Sequence, residues 1–202
     1  MKILVILGHP DSNSLNHAMA RAVRDDLREI GHAVIFHDLC EERFDPLLGA
    51  EEIPERGRIP PSIQTHCDEL CSADGIVVVH PNWWGQPPAI LTGWIDRVFR
   101  PGLAYRFREG DSGKGVPVGL LRARAAVVLN TSNTQETREQ QAFGDPLDAI
   151  WRRCVFDLCG VRTFHRRTFT AVVASTREQR RAWIEEATAL CRKAFGKDVR
   201  AP

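Results

Sequence analysis

Three short polar stretches carry residue types suited to holding an anion and a flat conjugated ring. Gly8-His9-Pro10-Asp11-Ser12-Asn13-Ser14-Leu15-Asn16 follows the apolar run Ile3 to Leu7 and feeds a helical pattern. At such a junction the unpaired amides and the positive end of the helix dipole attract an anion such as a phosphate. Ser12, Ser14 and Asn16 add short side-chain donors, although Ser14 serves equally well as a plain helix cap. Pro81-Asn82-Trp83-Trp84-Gly85-Gln86-Pro87-Pro88 sets two adjacent tryptophans in a turn-rich segment that cannot bury both rings in one helix face. Flat apolar surfaces there can border a planar ring, whose polar edge the amides of a proline-pinned loop can bond. The alternative puts one tryptophan in the core and the other over a loop. Asn130-Thr131-Ser132-Asn133-Thr134 is uncharged and dense in donors. Amides there suit the negative charge that grows on a ring as it is reduced, and a generic polar turn has the same composition.

These stretches act together only if the chain brings them to one edge. Ile3 to Leu7, Ile76-Val77-Val78-Val79 and Ala125 to Leu129 are apolar on consecutive residues, as strands covered on both faces are. Val34-Ile35-Phe36 and Phe169 to Val173 supply two more strand candidates, rich in β-branched and aromatic residues. Helical faces lie between. Met19, Ala22, Val23, Leu27 and Ile30 share one before Gly31, and Leu91, Trp94, Ile95, Val98 and Phe99 share another after Pro88. Asp145 caps a third, with Pro146 first, Leu147, Ile150, Trp151, Cys154 and Leu158 as its stripe and Gly160 as its end. Ser175 and Glu178 make a capping box before Trp183, Ile184, Ala187 and Cys191. Alternating strands and helices predict an α/β fold, a doubly wound parallel sheet whose ligands bind beyond the carboxyl ends of the strands, where the strand order reverses. All three polar stretches fall at that edge. Glu41 to Pro61 and Pro101 to Pro117 lack regular patterning and are expected to serve as covers or contacts.

With 202 residues and 43% hydrophobic content the chain is expected to fold as one domain, 1–202. Lys+Arg of 27 against Asp+Glu of 26 leaves a net charge of +1, which predicts neither a nucleic-acid partner nor a membrane-surface footprint. No apolar run approaches the roughly 20 residues that span a bilayer, and Lys2 to Gly8 is too short for a secretory signal. The expectation is a soluble cytoplasmic protein without membrane insertion. Cys40, Cys67, Cys71, Cys154, Cys159 and Cys191 mostly fall in helix-like apolar patterns and read as reduced, core-filling thiols. There is no GxGxxG after the first strand and no GxxxxGK[ST], and Gly113-Lys114-Gly115 is only a loop fragment. His9 and His80, placed beyond neighbouring strands, lack a third ligand. No metal is expected, and hydrogen-bonding roles beside the bound ring are assigned to both.

The string Pro81-Asn82-Trp83-Trp84, followed by Pro88-Ala89-Ile90-Leu91-Thr92-Gly93-Trp94-Ile95-Asp96-Arg97-Val98-Phe99 and then Gly102-Leu103-Ala104-Tyr105, resembles the flavodoxin-like NAD(P)H:quinone oxidoreductases. That family includes DT-diaphorase, the modulator-of-drug-activity B proteins and the ancillary subunits of glutathione-gated potassium efflux systems. Gly8-His9-Pro10 with Ser14 and Asn16 is similar to the family's flavin-phosphate loop, and the likeness is clear from Met1 to about Asn133. The resemblance implies a five-stranded sheet in the order 2-1-3-4-5 and a bound flavin, FMN or FAD. It implies a phosphate and ribityl chain along His9, Ser12, Ser14, Leu15 and Asn16, and a ring against Pro81, Asn82, Trp83 and Trp84. Asn130, Thr131, Ser132, Asn133 and Thr134 then face the ring's pyrimidine edge. It also implies two-electron ping-pong hydride transfer from NAD(P)H to a quinone-like acceptor, in a homodimer where Tyr105 and Phe107 reach the partner subunit's acceptor pocket.

The chain departs from that pattern in three places. DT-diaphorase carries a tyrosine and a histidine thought to assist hydride transfer, and Thr137 and Phe143 stand in their places here. Thr92 replaces the usual lysine of the helix motif. The missing pair favours a second reading, a flavin- or nucleotide-binding regulatory subunit of a transport system with little turnover; a flavodoxin-like electron carrier is a third.

Overall fold

Runs of consecutive apolar residues need cover on both faces, and the chain supplies it by winding helices to either side of its strands. The computed structural model describes residues 1–55, 57–108, 115 and 117–196. Its elements are β1 (Lys2–Leu7), α1 (Leu15–Glu29), β2 (Ala33–Asp38), α2 (Pro61–Ser72), β3 (Gly75–Pro81), α3 (Ala89–Val98), β4 (Tyr105–Arg106), β5 (Val118–Gly119), β6 (Ala125–Thr131), α4 (Glu136–Phe143), α5 (Pro146–Asp148), β7 (Thr163–Phe169) and α6 (Arg177–Phe195). Strands β2-β1-β3-β6-β7 form one sheet, and every neighbouring pair in it is parallel. Counting only those strands, the order is the expected 2-1-3-4-5. β4 and β5 pair separately as a short antiparallel ribbon.

Alternation along the strands divides the core in two. Leu4, Ile6, Ile76, Val78 and Val128 pack with Leu70, Trp94 and Trp151 on one face; Ile3, Val5, Val77, Val79 and Val127 pack with Met19, Leu27 and Phe195 on the other. The sheet is therefore sealed on both faces, and its carboxyl edge is where polar loops can gather.

Several boundaries differ from the sequence reading. The fifth strand is Thr163–Phe169 and not Phe169 to Val173, and Val172–Ala174 forms a 3-10 turn. Phe169 pairs with Thr131, the last residue of β6, so the ladder has no partner beyond it. As an edge strand β7 is only partly buried and tolerates His165, Arg166 and Arg167. The capping box of α6 starts one residue later than Ser175: Gln179 N donates to Thr176 Oγ1 at 3.2 Å and Thr176 N to Gln179 Oε1 at 2.8 Å. Ile30 is exposed at the end of α1. Beyond α5 the helix continues from Ala149 to Asp157 with π geometry. The wider turn rotates the stripe, so Val155, Phe156 and Cys159 are buried and Cys154 is exposed. All six cysteines are free, and burial pushes the thiols of Cys67 and Cys159 up to about 11 and about 12.

The unpatterned stretch after β2 is anchored and includes a 3-10 turn at Ala50–Glu52. Arg97 of α3 donates to both Glu52 carboxylate oxygens, at 3.2 and 2.7 Å, and to the Asp45 carbonyl at 2.6 Å, while Arg100 donates to the Glu52 carbonyl. Gly93 permits this approach, since a Cβ there would stand 2.2 Å from the Pro46 carbonyl. Gly113 and Lys114 lie outside the described residues. Among the described residues no helix is long and apolar enough to cross a membrane.

The ion pair of Arg97 and Glu52, with side chains 5% and 2% exposed, should be expensive to break from one side. Arg97→Met strands a buried carboxylate and is expected to cost roughly 3–5 kcal/mol in urea unfolding. Arg167→Met, at the exposed pair with Glu186, should cost less than about 1 kcal/mol. Equal losses would show that the stretch is not held by its buried pair.

Candidate functional site

Because β2 lies on one side of β1 and β3 on the other, the chain leaves β1 and β3 toward opposite flanks, and a crevice opens between the loops that follow. The loop after β1 is tied down by Gly8 N donating to Val79 O at 3.0 Å and closes an Asx-type turn, Asn13 N donating to Asp11 Oδ1 at 2.9 Å. Ser14 caps α1, its Oγ accepting from His17 N at 3.3 Å. Asn16 is 2% exposed, donates to Thr131 Oγ1 at 2.9 Å and leaves its buried Oδ1 without a partner. Behind the cap, His17 and Asp38 are 2.6 Å apart (Nε2 to Oδ2), and His17 Nδ1 lies 3.0 Å from Ser14 Oγ. Asp11 N donates to His9 Nδ1 at 3.0 Å. Burial, with His17 second, holds the His9 imidazole below its ordinary value.

The loop after β3 turns tightly, with Trp83 N and Gln86 N each bonded to the other's carbonyl. Trp84 and Gly85 take φ of 59° and 74°, the signature of a type I′ turn. Gly85 is required twice, for its φ and because a Cβ would stand 2.7 Å from Pro146 Cγ. An aromatic residue at positive φ stores of order 1–3 kcal/mol of strain, a cost that clusters at functional sites. Neither tryptophan is core: Trp83 is 43% and Trp84 97% exposed. Asn82 binds the loops together, donating from N to Thr131 O at 2.7 Å and from Nδ2 to Glu139 Oε1 at 2.9 Å, and accepting from Gly85 N at 3.0 Å. In the loop after β6, Thr134 N donates to Ser132 Oγ at 3.1 Å.

These loops enclose a cleft of about 680 Å³. It brings together His9, Ser14, Leu15, Asn16, Pro81, Asn82, Trp83, Trp84, Thr131, Ser132 and Asn133 of the residues singled out from sequence, and Thr134 beside them. Ser12 and Asn130 are not on its wall: Ser12 is exposed, and Asn130 is fully buried and bonded to His80. His80 does not lie beyond its strand; it belongs to β3 and is fully buried. Tyr105 and Phe107 stand away from their own chain's cleft, on a separate groove of about 300 Å³ with Phe99, Cys154 and Leu158. The sequence reading missed Arg138, Glu139, Pro146 and Val172 on the wall. The first two belong to α4, which buries no residue and so leaves no apolar stripe to read. Phe143, 61% exposed at the end of α4, also lines the cleft, whereas Thr137 does not.

His80, the neighbour of Pro81 on the wall, centres a buried network. Its Nδ1 donates to the Pro81 carbonyl at 2.8 Å, and its Nε2 accepts from Asn130 Nδ2 at 2.8 Å and Trp151 Nε1 at 2.9 Å. A second proton would meet two donors, and desolvation holds the imidazole down to about 4. Asn130 Oδ1 in turn accepts from Arg166, which pairs with Asp145, the cap of α5. His37, Glu42 and His66 also approach one another, with ligand-type atoms within 4.8 Å. Hydrogen bonds account for them: His37 bonds Glu42 and Glu69 through its two nitrogens, and Trp94 donates to His66 Nδ1, which leaves the His66 proton, and no lone pair, on Nε2.

The family model described as flavodoxin-like fold matches residues 1–191. A Haemophilus influenzae protein named as an uncharacterized NAD(P)H oxidoreductase is 35% identical over 194 residues, 92% of this chain and 91% of its own. NAD(P)H dehydrogenase (quinone) 1 of Cavia porcellus is 32% identical over 125 residues, 52% of this chain and 46% of its own, so the match spans under half of that relative. An FMN-dependent NADH-azoreductase of Bacillus anthracis, solved in complex with FMN, shares the fold with a TM-score of 0.75 at 14% identity, over 95% of this chain and 98% of its own.

A histidine kept neutral in the fold and protonated on unfolding makes stability pH-dependent. With a folded value of about 4 against 6.5 unfolded, its contribution is complete above pH 6.5 and is lost as pH falls toward 4, by up to about 3 kcal/mol. Urea unfolding across that window is expected to show the loss, and His80→Gln to flatten it. An equally steep profile in the variant would assign the acid sensitivity to other groups.

Proposed function

The chain belongs to the flavodoxin-like fold family, and from that membership and the construction of the cleft we propose that it is a flavin-dependent NAD(P)H oxidoreductase that reduces quinones or similar acceptors. The observation that carries this reading is the convergence of three loops, those after β1, β3 and β6, on one cleft whose wall holds both an anion-seeking helix start and exposed tryptophans. The chain's own residues fit a flavin. The start of α1 presents unpaired amides to a phosphate. Asn16 keeps a buried amide end unsatisfied until a ligand arrives; exchanging its O and N, which the geometry permits, leaves the bond to Thr131 intact and turns a donor to that end. Pro81 and Trp83 offer a flat apolar wall, and the loop from Ser132 to Thr134 offers uncharged polar groups to the polar edge of a ring.

A bound flavin, FMN or FAD, supplies the two-electron chemistry between NAD(P)H and the acceptor. The residues named here position it, exclude water with Trp83, Trp84 and Phe143, and bring a cation, Arg138, to the wall, where a nucleotide phosphate can be met. Relatives named as NAD(P)H oxidoreductases support turnover over a regulatory binding role. Two-electron ping-pong transfer, a cytoplasmic location in keeping with six free thiols, and a homodimer complete the proposal. The dimer is supported by exposed aromatics at the rim of the cleft and away from it, Trp84 at 97% and Phe107 at 54%. Sedimentation at micromolar concentration should give twice the chain mass, and a monomer that turns over quinone would exclude the shared site.

Titration of the apo protein with FMN and FAD, read by quenching of flavin fluorescence, is expected to saturate at one flavin per chain. No saturation with either would end the flavin reading. Ser14→Asp tests the phosphate end. Aspartate caps a helix as well as serine does, so the apo melting temperature should hold. A carboxylate about 4 Å from a phosphate charge repels it by roughly 4 kcal/mol at an effective dielectric near 20. Even after discounting for solvent and for pairing with His17, binding should weaken at least about tenfold, which takes only about 1.4 kcal/mol. Unchanged affinity would move the phosphate elsewhere.

A further inference from the structure

We propose that anchoring of the flavin phosphate is coupled to uptake of one proton by His17, through the buried chain Asp38, His17 and Ser14; this rests on the flavin reading above. Asp38 Oδ1 accepts from the Cys40 and Glu41 amides, both at 3.2 Å, and its Oδ2 faces His17 Nε2 at 2.6 Å. Oδ1 already accepts two amides, as a carboxylate does, and a carboxylate Oδ2 can only accept, which assigns the hydrogen between the pair to His17 Nε2. That fixes the tautomer. His17 is 2% and Asp38 5% exposed, so the pair is shielded from solvent.

The remaining nitrogen, Nδ1, lies 3.0 Å from Ser14 Oγ, which also accepts from His17 N at 3.3 Å. Two arrangements satisfy this geometry. If Nδ1 is bare, Ser14 spends its single hydrogen on it and turns an oxygen lone pair toward the cleft, which repels an anion. If Nδ1 carries a proton, Ser14 accepts from both His17 donors, and its own O–H is free to donate into the cleft that Ser14 lines. A phosphate at the start of α1 therefore selects the second arrangement. The imidazolium that forms is balanced by Asp38 behind it and the phosphate in front. A second observation points to a ligand on the same wall: Asn16, two residues on, has a buried, unpartnered amide end, to which the exchange of its O and N turns an N–H donor.

No bond to the ligand is made or broken; one proton passes from solvent to His17 Nδ1. Around the pair lie His9, its ring 6.2 Å from that of His17, Asp11, whose amide donates to His9, and Cys40, whose amide donates to Asp38. Because the bound state holds the extra proton, affinity is greatest at low pH and weakens as pH rises, by at most about tenfold per pH unit.

The test is calorimetric titration of apo protein with FMN at about pH 8, where the FMN phosphate is already a dianion. It is run in two phosphate-free buffers of different ionisation enthalpy, with riboflavin as the phosphate-free probe. FMN should bind with uptake of a large fraction of a proton and riboflavin with none. His17→Gln, whose amide can still donate to Asp38, should abolish the uptake and flatten the pH dependence of FMN affinity. Nitrogen-15 NMR of the imidazoles needs no variant: His17 should be the neutral Nε2–H form in the apo protein and doubly protonated with FMN. No proton uptake, uptake that survives His17→Gln, or a His17 that stays neutral in the complex would overturn the proposal. Equal affinity for FMN and riboflavin would also overturn it, by removing the phosphate from this loop while leaving the flavin reading intact. No binding of FMN, FAD or riboflavin would overturn both.

Discussion

The site depends on one topological fact, the reversal of strand order between β1 and β3. A chain that crossed in one direction only would stack its connections on successive flanks and leave no gap at the sheet edge. Here the loops after β1 and β3 part company, and the loop after β6 closes the third side, with the 2.7 Å bond from Asn82 N to Thr131 O holding β3 and β6 in step to the last residue. Everything that touches the cleft is placed by that edge. Ser14 and Asn16 stand at its anion-seeking corner because α1 must begin there to cover β1. Trp83 and Trp84 stand at its mouth because the I′ turn leaves them no route into the core.

Under the cleft the molecule spends polar groups where a purely apolar core would have been simpler. His80, Asn130, Trp151, Arg166 and Asp145 form a continuous hydrogen-bonded network from β3 through β6 and β7 to the start of α5. Each member has a partner, which is the condition under which a buried network rigidifies and does not destabilise. Its effect is positional: α5 begins with Pro146, whose ring packs against Gly85, so the network fixes the helix that supports the tryptophan turn. Arg97 and Arg100 do similar work on the other flank, binding the stretch after β2 to α3.

Much of this was legible in the sequence. Consecutive apolar residues identified β1, β3 and β6 because central parallel strands need cover on both faces, and eleven of the thirteen residues assigned to the cofactor line the cleft. The failures have physical causes. β7 escaped because an edge strand carries charges that a central one cannot. Cys154 was placed in the core because a 3.6-residue period does not describe a π turn. Asn130 reads as a loop residue and His80 as a hydrogen-bonding group beside the bound ring, whereas the chain buries them as mutual partners, which spacing along a sequence does not encode. The pairing of His17 with Asp38 joins residues 21 apart across α1 and β2 and was invisible for the same reason. Arg138 and Glu139 lie on α4, a helix with no apolar face of its own.

The most direct test of the whole account is a crystal structure of the chain grown with FMN. The account predicts the phosphate within hydrogen-bond distance of Ser14 Oγ and the first amides of α1, with the ring against Pro81 and Trp83 and its polar edge on the loop from Ser132 to Thr134. FMN bound with its phosphate away from α1, or in the groove of Tyr105 and Phe107, would contradict it.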